Sequence, residues 1–517
     1  MYSSVTSGTI LGIQGFMIQA EADVSDGLPS FHMVGYLASE VRESGERIRT
    51  AMRNAGYSLP PKRIVVNLSP ADIRKGGSGF DLPIAISILI SMGYIPQEYV
   101  ESMVFLGELG LNGDVLPIHG ILPIADQARQ EGFRVLVVPE VNQQEAAMVQ
   151  GLKVMGISSL KELVELLNCR EEWEPRYYQP EQEEENRVEP PICDFRDLKG
   201  QPVLRRVMEV AASGMHNLLM SGPPGAGKTM AAKCLAGILP DLSPDEQMEL
   251  TKIYSVRGLL PAEGRMIYRR PFRAPHHTIT SSAFIGGGVH PQPGEISLAH
   301  NGVLFLDELP EFSRSVIETL RQPMEDGQVT IGRFQRAVEF PARVMVVGAM
   351  NPCPCGCYPD RSRCSCSVEQ ILRYQRRISR AIVDRMDLHI TIQPVGFQEI
   401  INKESRETSE RIRSRVSRVH QLQRERYRNQ RFHYNSQLTT EGIHRYCTLT
   451  KEEEEYLETI YEKGNISSRG YDRILRVART IADMNDSPEL QLHHLKEAVA
   501  YRISEEKPVS GGDFYAS

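Results

Sequence analysis

The 517-residue sequence has few cysteines and lacks an apolar run long enough to cross a membrane. Its most apolar stretch, 82–95, is short and is interrupted by Pro83 and Gly93. The first residues also lack the basic and apolar regions of a secretory signal peptide. These absences favour the reducing cytoplasm without membrane association, where clustered cysteines bind metal more often than they form disulfides.

Charge is nearly balanced over the whole chain, with a formal net charge of −7. This balance excludes a uniformly basic coat for nucleic acid. Residues 361–431 are nevertheless locally basic, with 17 lysines and arginines against 8 acidic residues, so a local basic surface stays open. Because 41% of the residues are hydrophobic, a wholly disordered chain is also excluded.

Charge and proline divide the chain near its first third. Residues 170–191 contain eight acidic residues and four prolines, which predicts a solvated linker over 170–192. In residues 1–169, β-branched runs such as Arg63–Asn67 alternate with helical patterns such as Ser39–Ala55. This alternation predicts an α+β domain before the linker.

After the linker, continuous apolar runs at 217–220, 303–306 and 344–347 predict parallel strands buried on both faces. Helices or long insertions separate these runs, so residues 193–395 are predicted to form a doubly wound α/β layer. Residues 396–517 are predicted to form a helical domain in which one helix carries an apolar face. We place Ile474, Leu475, Ala478, Ile481 and Ala482 on that face, and Arg473, Arg476 and Arg479 off it.

A glycine-rich motif follows the first of these apolar runs, and the pattern after it predicts a helix over 230–239. The motif matches G-x-x-x-x-G-K-[ST] in the strand-to-helix context that a phosphate loop requires. Its backbone N–H groups turn toward phosphate oxygens, its lysine adds a charge, and its hydroxyl can bind Mg²⁺. The alternative is a chance glycine-rich turn. The predicted nucleotide-binding residues are Gly222, Pro223, Pro224, Gly225, Ala226, Gly227, Lys228 and Thr229.

An acidic pair ends the strand predicted at 303–306. Beside a phosphate loop, Asp307 is expected to order the water shell of Mg²⁺ together with Thr229. Glu308 is expected to polarise the water that attacks the γ-phosphate. An isolated pair of this kind is more often a solvated loop, so the prediction depends on the pairing with the phosphate loop.

Three further polar residues are candidates for this site. Asn351 ends the next predicted strand, and strand ends converge on the ligand crevice of an open α/β sheet. An asparagine there can also serve only the following turn. Arg385 and Arg469 are candidates for stabilising the charge of the transition state, including from a neighbouring subunit. By spacing alone, each arginine is more typical of a surface ion pair.

Five longer segments match the pattern of one protein family. They are 272–278 (FRAPHHT), 293–302 (PGEISLAHNG), 306–312 (LDELPEF), 349–356 (AMNPCPCG) and 473–483 (RILRVARTIAD). With the phosphate loop, they make the chain resemble the ComM/YifB family, in the magnesium-chelatase-like branch of AAA+ ATPases, over essentially its whole length. The resemblance implies an AAA+ P-loop core with β-hairpin insertions, an N-terminal α+β domain like that of Lon, and a C-terminal helical lid.

The same resemblance implies a homo-oligomeric ring, expected to be a hexamer, that binds ATP and Mg²⁺ between subunits. Asn351 would be the sensor-1 residue, Arg469 the sensor-2 residue in cis or in trans, and Arg385 the arginine finger given to the next subunit. It also implies two hairpin insertions facing a central channel, within 268–290 and around 328–336. The candidates for DNA contacts are Arg333, Arg336 and His276; the alternative is an exposed hairpin with ordinary surface charges.

The N-terminal domain resembles the proteolytic domain of Lon at 75–82 and 107–118. In Lon proteases, a serine nucleophile passes its proton to a lysine. The matching puts Asp81 at the serine position, and residues 120–125, where the lysine is expected, contain none. Ser78 lies nearby, but a serine without a base is a weak nucleophile. We therefore expect a protease-shaped domain without peptidase activity, acting as a collar or as a DNA-contacting domain.

Cysteines cluster in the segment that follows Asn351. Two close pairs, Cys353 with Cys355 and Cys364 with Cys366, predict a structural tetrahedral Zn²⁺ site. The C-x-C spacing is tighter than the usual spacing of zinc ligands, and Cys357 is an alternative ligand. Free or redox-active thiols are the competing interpretation.

Together these features predict a cytoplasmic ATP hydrolase that drives a DNA motor. The family resemblance implies a helicase or branch-migration translocase acting on single-stranded, double-stranded or branched DNA during natural transformation. The alternative is a protein-remodelling AAA+ ATPase of the magnesium-chelatase type without a DNA substrate. An ATP-dependent protease is disfavoured by the missing serine–lysine pair.

Overall fold

The computed structural model describes residues 1–169, 171, 173–179, 193–261, 265–288, 290–333, 336–396, 407–462 and 466–502. Most of the predicted linker, 180–192, therefore lies outside the described residues. Its first part departs from the prediction, because Trp173 and Tyr177 are aromatic and pack against the N-terminal domain. The Trp173 ring nitrogen donates a hydrogen bond to the carbonyl of Leu166 at 2.8 Å.

A seven-stranded mixed sheet forms the centre of the N-terminal domain. Its strands and those of a small hairpin are β1 Tyr2–Leu11, β2 Gln14–Ser25, β3 Ser30–Val34, β4 Arg63–Ser69, β5 Met103–Phe105, β6 Glu108–Leu109, β7 Val115–Leu116, β8 Val135–Pro139 and β9 Lys153–Ile157. The helices are α1 Ser39–Asn54, α2 Asp81–Ser91, α3 Ile121–Gln130, α4 Gln143–Ala147, α5 Leu160–Asn168 and α6 Trp173–Arg176. The sheet order is β3-β4-β2-β1-β5-β8-β9. The most apolar stretch of the sequence forms α2, in which every residue is buried.

A second, five-stranded parallel sheet forms the core after the linker, in the order β11-β14-β17-β10-β18. The strands of this region are β10 Leu218–Ser221, β11 Phe272–Arg273, β12 Gly286–Gly287, β13 Gln292–Pro293, β14 Val303–Leu306, β15 Gln328–Arg333, β16 Arg336–Pro341, β17 Met345–Met350 and β18 Leu388–Thr391. Its helices are α7 Pro202–Gly214, α8 Lys228–Ile238, α9 Pro244–Arg257, α10 Ser281–Ile285, α11 Glu295–Leu298, α12 Arg314–Thr319, α13 Arg321–Asp326, α14 Val368–Gln375 and α15 Arg380–Val383. The prediction of an α/β fold with buried parallel strands is confirmed, since β10 and β14 are almost entirely buried.

Because the core strands run parallel, their carboxyl ends lie at one edge of the sheet, which we call the carboxyl edge. Leu218 at the start of β10 pairs with Val347 and with Leu388. Ser221 at its end pairs with Met350 and Thr391. The segments after Ser221, Leu306 and Met350 therefore meet at the carboxyl edge.

The C-terminal part is helical, with α16 Ser409–Arg426, α17 Thr440–Tyr446, α18 Lys451–Glu462, α19 Ser468–Met484 and α20 Leu492–Ala500. Arg473 and Arg479, which were predicted to lie off the apolar face of this helix, are nevertheless buried. One carboxylate from outside α19 and one within it neutralise the two guanidinium groups. Arg473 pairs with Asp387, and Arg479 pairs with Asp483 at 2.9 Å.

The N-terminal domain contacts α9 of the core through α3 and α4. Lys252 pairs with Asp126 at 2.6 Å, and the Ser255 hydroxyl donates to the buried Glu145 carboxylate at 2.5 Å. Elsewhere in the core, Cys193 and Cys234 are paired as a disulfide, which the cysteine spacing did not predict. In the described part of the chain, no helix has both the length and the apolar character needed to span a bilayer.

Candidate functional site

The phosphate loop connects β10 to α8 at the carboxyl edge. Gly227 adopts φ +85°, a conformation that favours glycine, and caps the helix that begins at Lys228. The helix starts two residues before the predicted 230, because this glycine completes the turn. The N-terminus of α8 therefore faces the loop with its free backbone N–H groups and its dipole.

Lys228 and Asn351 lie together beside this loop. The Lys228 ammonium donates to the carbonyls of Gly222 at 2.6 Å and Pro223 at 3.0 Å, and to Asn351 Oδ1 at 3.0 Å. Burial lowers the pKa of Lys228, and the charges of Asp307 and Glu308 oppose that shift. The Lys228 ammonium thus lies among three oxygen acceptors. A bound phosphate would compete with these oxygens for its hydrogen bonds.

Thr229 and Asp307 are in direct contact across the site. The Thr229 hydroxyl donates to Asp307 Oδ2 at 2.7 Å, so the two residues offer adjacent oxygen ligands. Hydroxyl and carboxylate oxygens are the hard ligands that Mg²⁺ prefers. These two residues fit the predicted magnesium site.

Glu308 follows with a left-handed backbone, at φ +51°, and its N–H donates to Asp307 Oδ1 at 2.9 Å. Such a conformation is uncommon for a residue other than glycine, and it concentrates at functional sites. The Glu308 carboxylate lies 3.6 Å from Nδ1 of His277, which packs edge-on against Phe312. This contact was not predicted from the sequence. No local sequence pattern indicates it, because the contact depends on β11 lying beside β14.

Arg385 and Arg469 lie together at the opposite edge of the core sheet. The backbone of Arg385 is beside Asn217, just before β10, whereas the phosphate loop follows the far end of that strand. Both arginines pair with one carboxylate, Glu325, at 2.6 Å from Arg385 and 3.4 Å from Arg469. The Arg385 side chain is 7% exposed and that of Arg469 is 60% exposed. This position separates both arginines from the phosphate loop of their own chain.

Two hairpins extend from the core. The first is the short pair β12–β13, and the second is β15–β16, in which Arg333 pairs with Arg336 across the turn. The side chains of these two arginines lie outside the described residues. His276 is exposed in the loop before α10, and its Nδ1 lies 2.9 Å from the Thr278 hydroxyl.

The four cysteines of the predicted zinc site converge. The sulfur atoms of Cys353, Cys355, Cys364 and Cys366 all lie within 4.8 Å of one another. Individual separations are 3.4 Å for Cys353–Cys355 and 3.6 Å for Cys355–Cys364. A tetrahedral Zn²⁺ with Zn–S bonds of about 2.3 Å requires sulfur separations of about 3.8 Å, so the four thiols fit that ion. Cys357 lies outside this set.

The cysteine loop touches the phosphate loop. A Cβ atom added at Gly356 would lie 2.4 Å from Cδ of Pro224, so the two loops pack at backbone distance. Gly356 also has φ +80°, which favours glycine. A metal ion that cross-links the cysteine loop would therefore also stabilise the nucleotide site.

The Lon-like position in the N-terminal domain holds an ion pair. Asp81 accepts two hydrogen bonds from Arg47, at 2.6 and 3.0 Å, and is buried. The Ser78 hydroxyl donates to the Glu108 carboxylate. Lys75 donates to the carbonyl of Pro70. These contacts leave Ser78 beside a carboxylate rather than a lysine.

Comparisons with known proteins agree with this architecture. Residues 194–400 match the family described as magnesium chelatase, subunit ChlI; 20–142 match subunit ChlI of Mg-chelatase; and 406–502 match the ChlI C-terminal family. Competence protein ComM of Haemophilus influenzae is 39% identical over 500 residues, which cover 96% of this chain and 97% of that protein.

The chain belongs to the ComM and YifB family of magnesium-chelatase-like proteins. YifB of Escherichia coli, an uncharacterized protein, is 38% identical over 505 residues, covering 97% of each chain. Lon protease 2 of Bacillus subtilis is 26% identical over 181 residues, which cover 33% of this chain and 32% of that protein. Membership makes the chain a magnesium-chelatase-like AAA+ protein and implies ATP and Mg²⁺ as its cofactors.

Proposed function

We propose that this protein is a ring-shaped ATPase that moves DNA, as a helicase or branch-migration translocase, during recombination of incoming DNA. The observation that carries the proposal is the separation of two groups of residues. Lys228, Asp307 and Glu308 stand at the carboxyl edge, whereas Arg385 and Arg469 stand at the other edge. One chain therefore has the phosphate loop and the arginines on opposite sides, as a head-to-tail assembly requires.

Hydrolysis uses the residues of the carboxyl edge. Lys228 binds the β- and γ-phosphates, and Asn351 orients the attacking water. Thr229 and Asp307 would hold Mg²⁺, which neutralises phosphate charge. The water oxygen bonds to the γ-phosphorus while the bond to the β–γ bridging oxygen breaks. Glu308 accepts the proton of the water, and ADP leaves with the electron pair of the broken bond.

A neighbouring subunit supplies the arginines. Arg385 leaves its ion pair with Glu325 and binds the γ-phosphate of the ATP in the adjacent subunit. There it stabilises the charge of the transition state. Arg469, which shares Glu325, acts in trans beside it. A closed ring, expected to be a hexamer, repeats this interface around its axis.

The DNA substrate is proposed from the hairpins and from the relative. Hairpin β15–β16 carries Arg333 and Arg336 at its turn, and His276 is exposed in the loop before α10. Arginines of this kind bind the phosphate backbone without reading sequence. The relative ComM is named a competence protein, and this proposal gives the present chain a role in the recombination of incoming DNA in the cytoplasm.

A structural Zn²⁺ is part of the proposal. Cys353, Cys355, Cys364 and Cys366 would fill all four positions of the ion, leaving no position for a substrate. Held in this way, the loop after Asn351 keeps Gly356 against Pro224.

A protein-remodelling ATPase of the magnesium-chelatase type is the second candidate. It is favoured by the three matches to subunit ChlI. The two candidates share the nucleotide site and differ in substrate, so stimulation of ATP turnover by DNA separates them. A motor on DNA is stimulated, whereas a remodelling ATPase without a DNA substrate is not.

Strand displacement and branch migration by the wild type and by Glu308→Gln test the proposed motor. The variant keeps the phosphate loop and the magnesium ligands but loses the base, so we expect it to bind ATP and assemble without moving DNA. Equal DNA movement by both proteins would contradict the role of Glu308. A wild type that hydrolyses ATP but never moves or responds to DNA would favour the remodelling candidate.

A further inference from the structure

His277 reaches the nucleotide site because of the order of the core strands. Phe272 of β11 pairs in parallel with Val303 of β14, so both strands end at the carboxyl edge. His277 lies four residues after β11, and Glu308 lies two residues after β14. The topology brings the two side chains together although 30 residues separate them in sequence.

Two aromatic contacts hold the His277 ring beside Glu308. The ring packs edge-on against Phe312, with centroids 6.4 Å apart, and lies 4.1 Å from the ring of His276. Phe312 ends the short turn that begins at Glu308. The same turn therefore carries the Glu308 carboxylate and the Phe312 ring that packs against His277. These contacts restrain the His277 ring to the neighbourhood of Glu308.

The Glu308 carboxylate has few other restraints. Its side chain is 57% exposed, and within the described ranges His277 is the one cationic or cation-forming side chain within 4.0 Å of it. The separation of 3.6 Å between Nδ1 and Oε2 is longer than a hydrogen bond, and a small rotation of either side chain closes it. A carboxylate that must face a water molecule gains from such a restraint, since catalytic geometry is sensitive to small displacements.

We propose that His277 is a positioning residue for Glu308. Its ring nitrogen holds the carboxylate in the orientation in which Glu308 accepts the proton of the attacking water. The inference rests on the proposed ATPase function and adds to it a residue that acts through Glu308 rather than on the nucleotide. Binding of ATP, which uses Lys228 and the loop, does not depend on His277.

Steady-state ATP turnover of the full chain tests this role with His277→Ala, His277→Asn and the matched control Thr278→Ala. His277→Ala is expected to lower kcat at least about 10-fold, and to change the KM for ATP by less than about 2-fold, because only transition-state positioning is lost. His277→Asn keeps an N–H near the position of Nδ1 and should recover most of the lost kcat. Thr278→Ala alters the same loop without removing the contact to Glu308 and should turn over ATP like the wild type.

A double-variant cycle separates positioning from a general effect on folding. In the Glu308→Gln background, His277→Ala should lower kcat no further, because the group that it positions is already lost. Thermal unfolding of each variant checks that the fold is retained. The inference is overturned by an unchanged kcat in His277→Ala, by a matching rise in KM, by failure of His277→Asn to recover activity, or by full additivity with Glu308→Gln. A wild type without any ATP turnover would overturn the proposed function itself, which is a different result.

Discussion

Replacing Asp387 with asparagine is expected to destabilise the protein strongly. Asp387 is buried just before β18, where it pairs with Arg473 of α19 and accepts a hydrogen bond from the backbone N–H of Asn217 at 2.9 Å. Burial opposes its ionisation, but the charge of Arg473, together with His216 and the Asn217 N–H, outweighs burial and holds the pKa of Asp387 well below its ordinary value. The substitution keeps the shape of the side chain and removes its charge, leaving the Arg473 guanidinium buried without a counter-ion.

Breaking a buried pair on one side costs about 3–5 kcal/mol. For a cooperative unit of 150–250 residues, this corresponds to a fall in Tm of about 10 °C. Calorimetry should show that fall for Asp387→Asn. The control Asp384→Asn, at a partly exposed position three residues earlier, should change stability by less than about 0.5 kcal/mol. Equal Tm values for the two variants would refute the claim that the Asp387–Arg473 ion pair stabilises the contact between the core and the C-terminal helices.

The other predictions concern the metal, acid stability and peptidase activity. Elemental analysis should find about one zinc per chain, lost in Cys364→Ser and kept in Cys357→Ser; no zinc in the wild type would contradict the site. Burial opposes ionisation of Glu246, yet Arg270 together with hydrogen bonds from Ser243 and Tyr434 outweighs burial and lowers the pKa of Glu246 to about 2. Its contribution to stability is thus present above its unfolded pKa of about 4.3 and lost as pH falls toward 2, so Glu246→Gln should flatten acid unfolding there. Incubation with the protein should leave casein intact. Degradation of casein that Ser78→Ala abolishes would contradict the absence of peptidase activity.

The phosphate loop and the core strands could be predicted from the sequence because their patterns are local. The phosphate loop is a glycine-rich turn that directly follows a strand. A strand that is buried on both faces is continuously apolar, as Val303–Leu306 is. The converging sulfur atoms of Cys353 and Cys364 could also be anticipated, because the ligands lie within one loop. Each of these patterns is complete within a short segment of chain.

Features that depend on distant packing could not be anticipated. Arg473 is buried against Asp387, which lies 86 residues earlier in the chain and which no local pattern links to it. The contact of His277 with Glu308 depends on β11 lying beside β14, which periodicity does not determine. Aromatic packing of Trp173 likewise overrides a composition that is typical of a solvated linker.

The central claim is that one ATP site uses residues of two neighbouring chains, and mixing two inactive variants tests it directly. Lys228→Ala should lose ATP binding, and Arg385→Ala should turn over ATP about 10³-fold more slowly or worse. In an equal mixture that exchanges subunits, about one quarter of the interfaces combine an intact phosphate loop with an intact arginine, so ATP turnover should return to a comparable fraction of the wild-type rate. If the mixture stays as inactive as its components although mixed assemblies form, the shared site is contradicted.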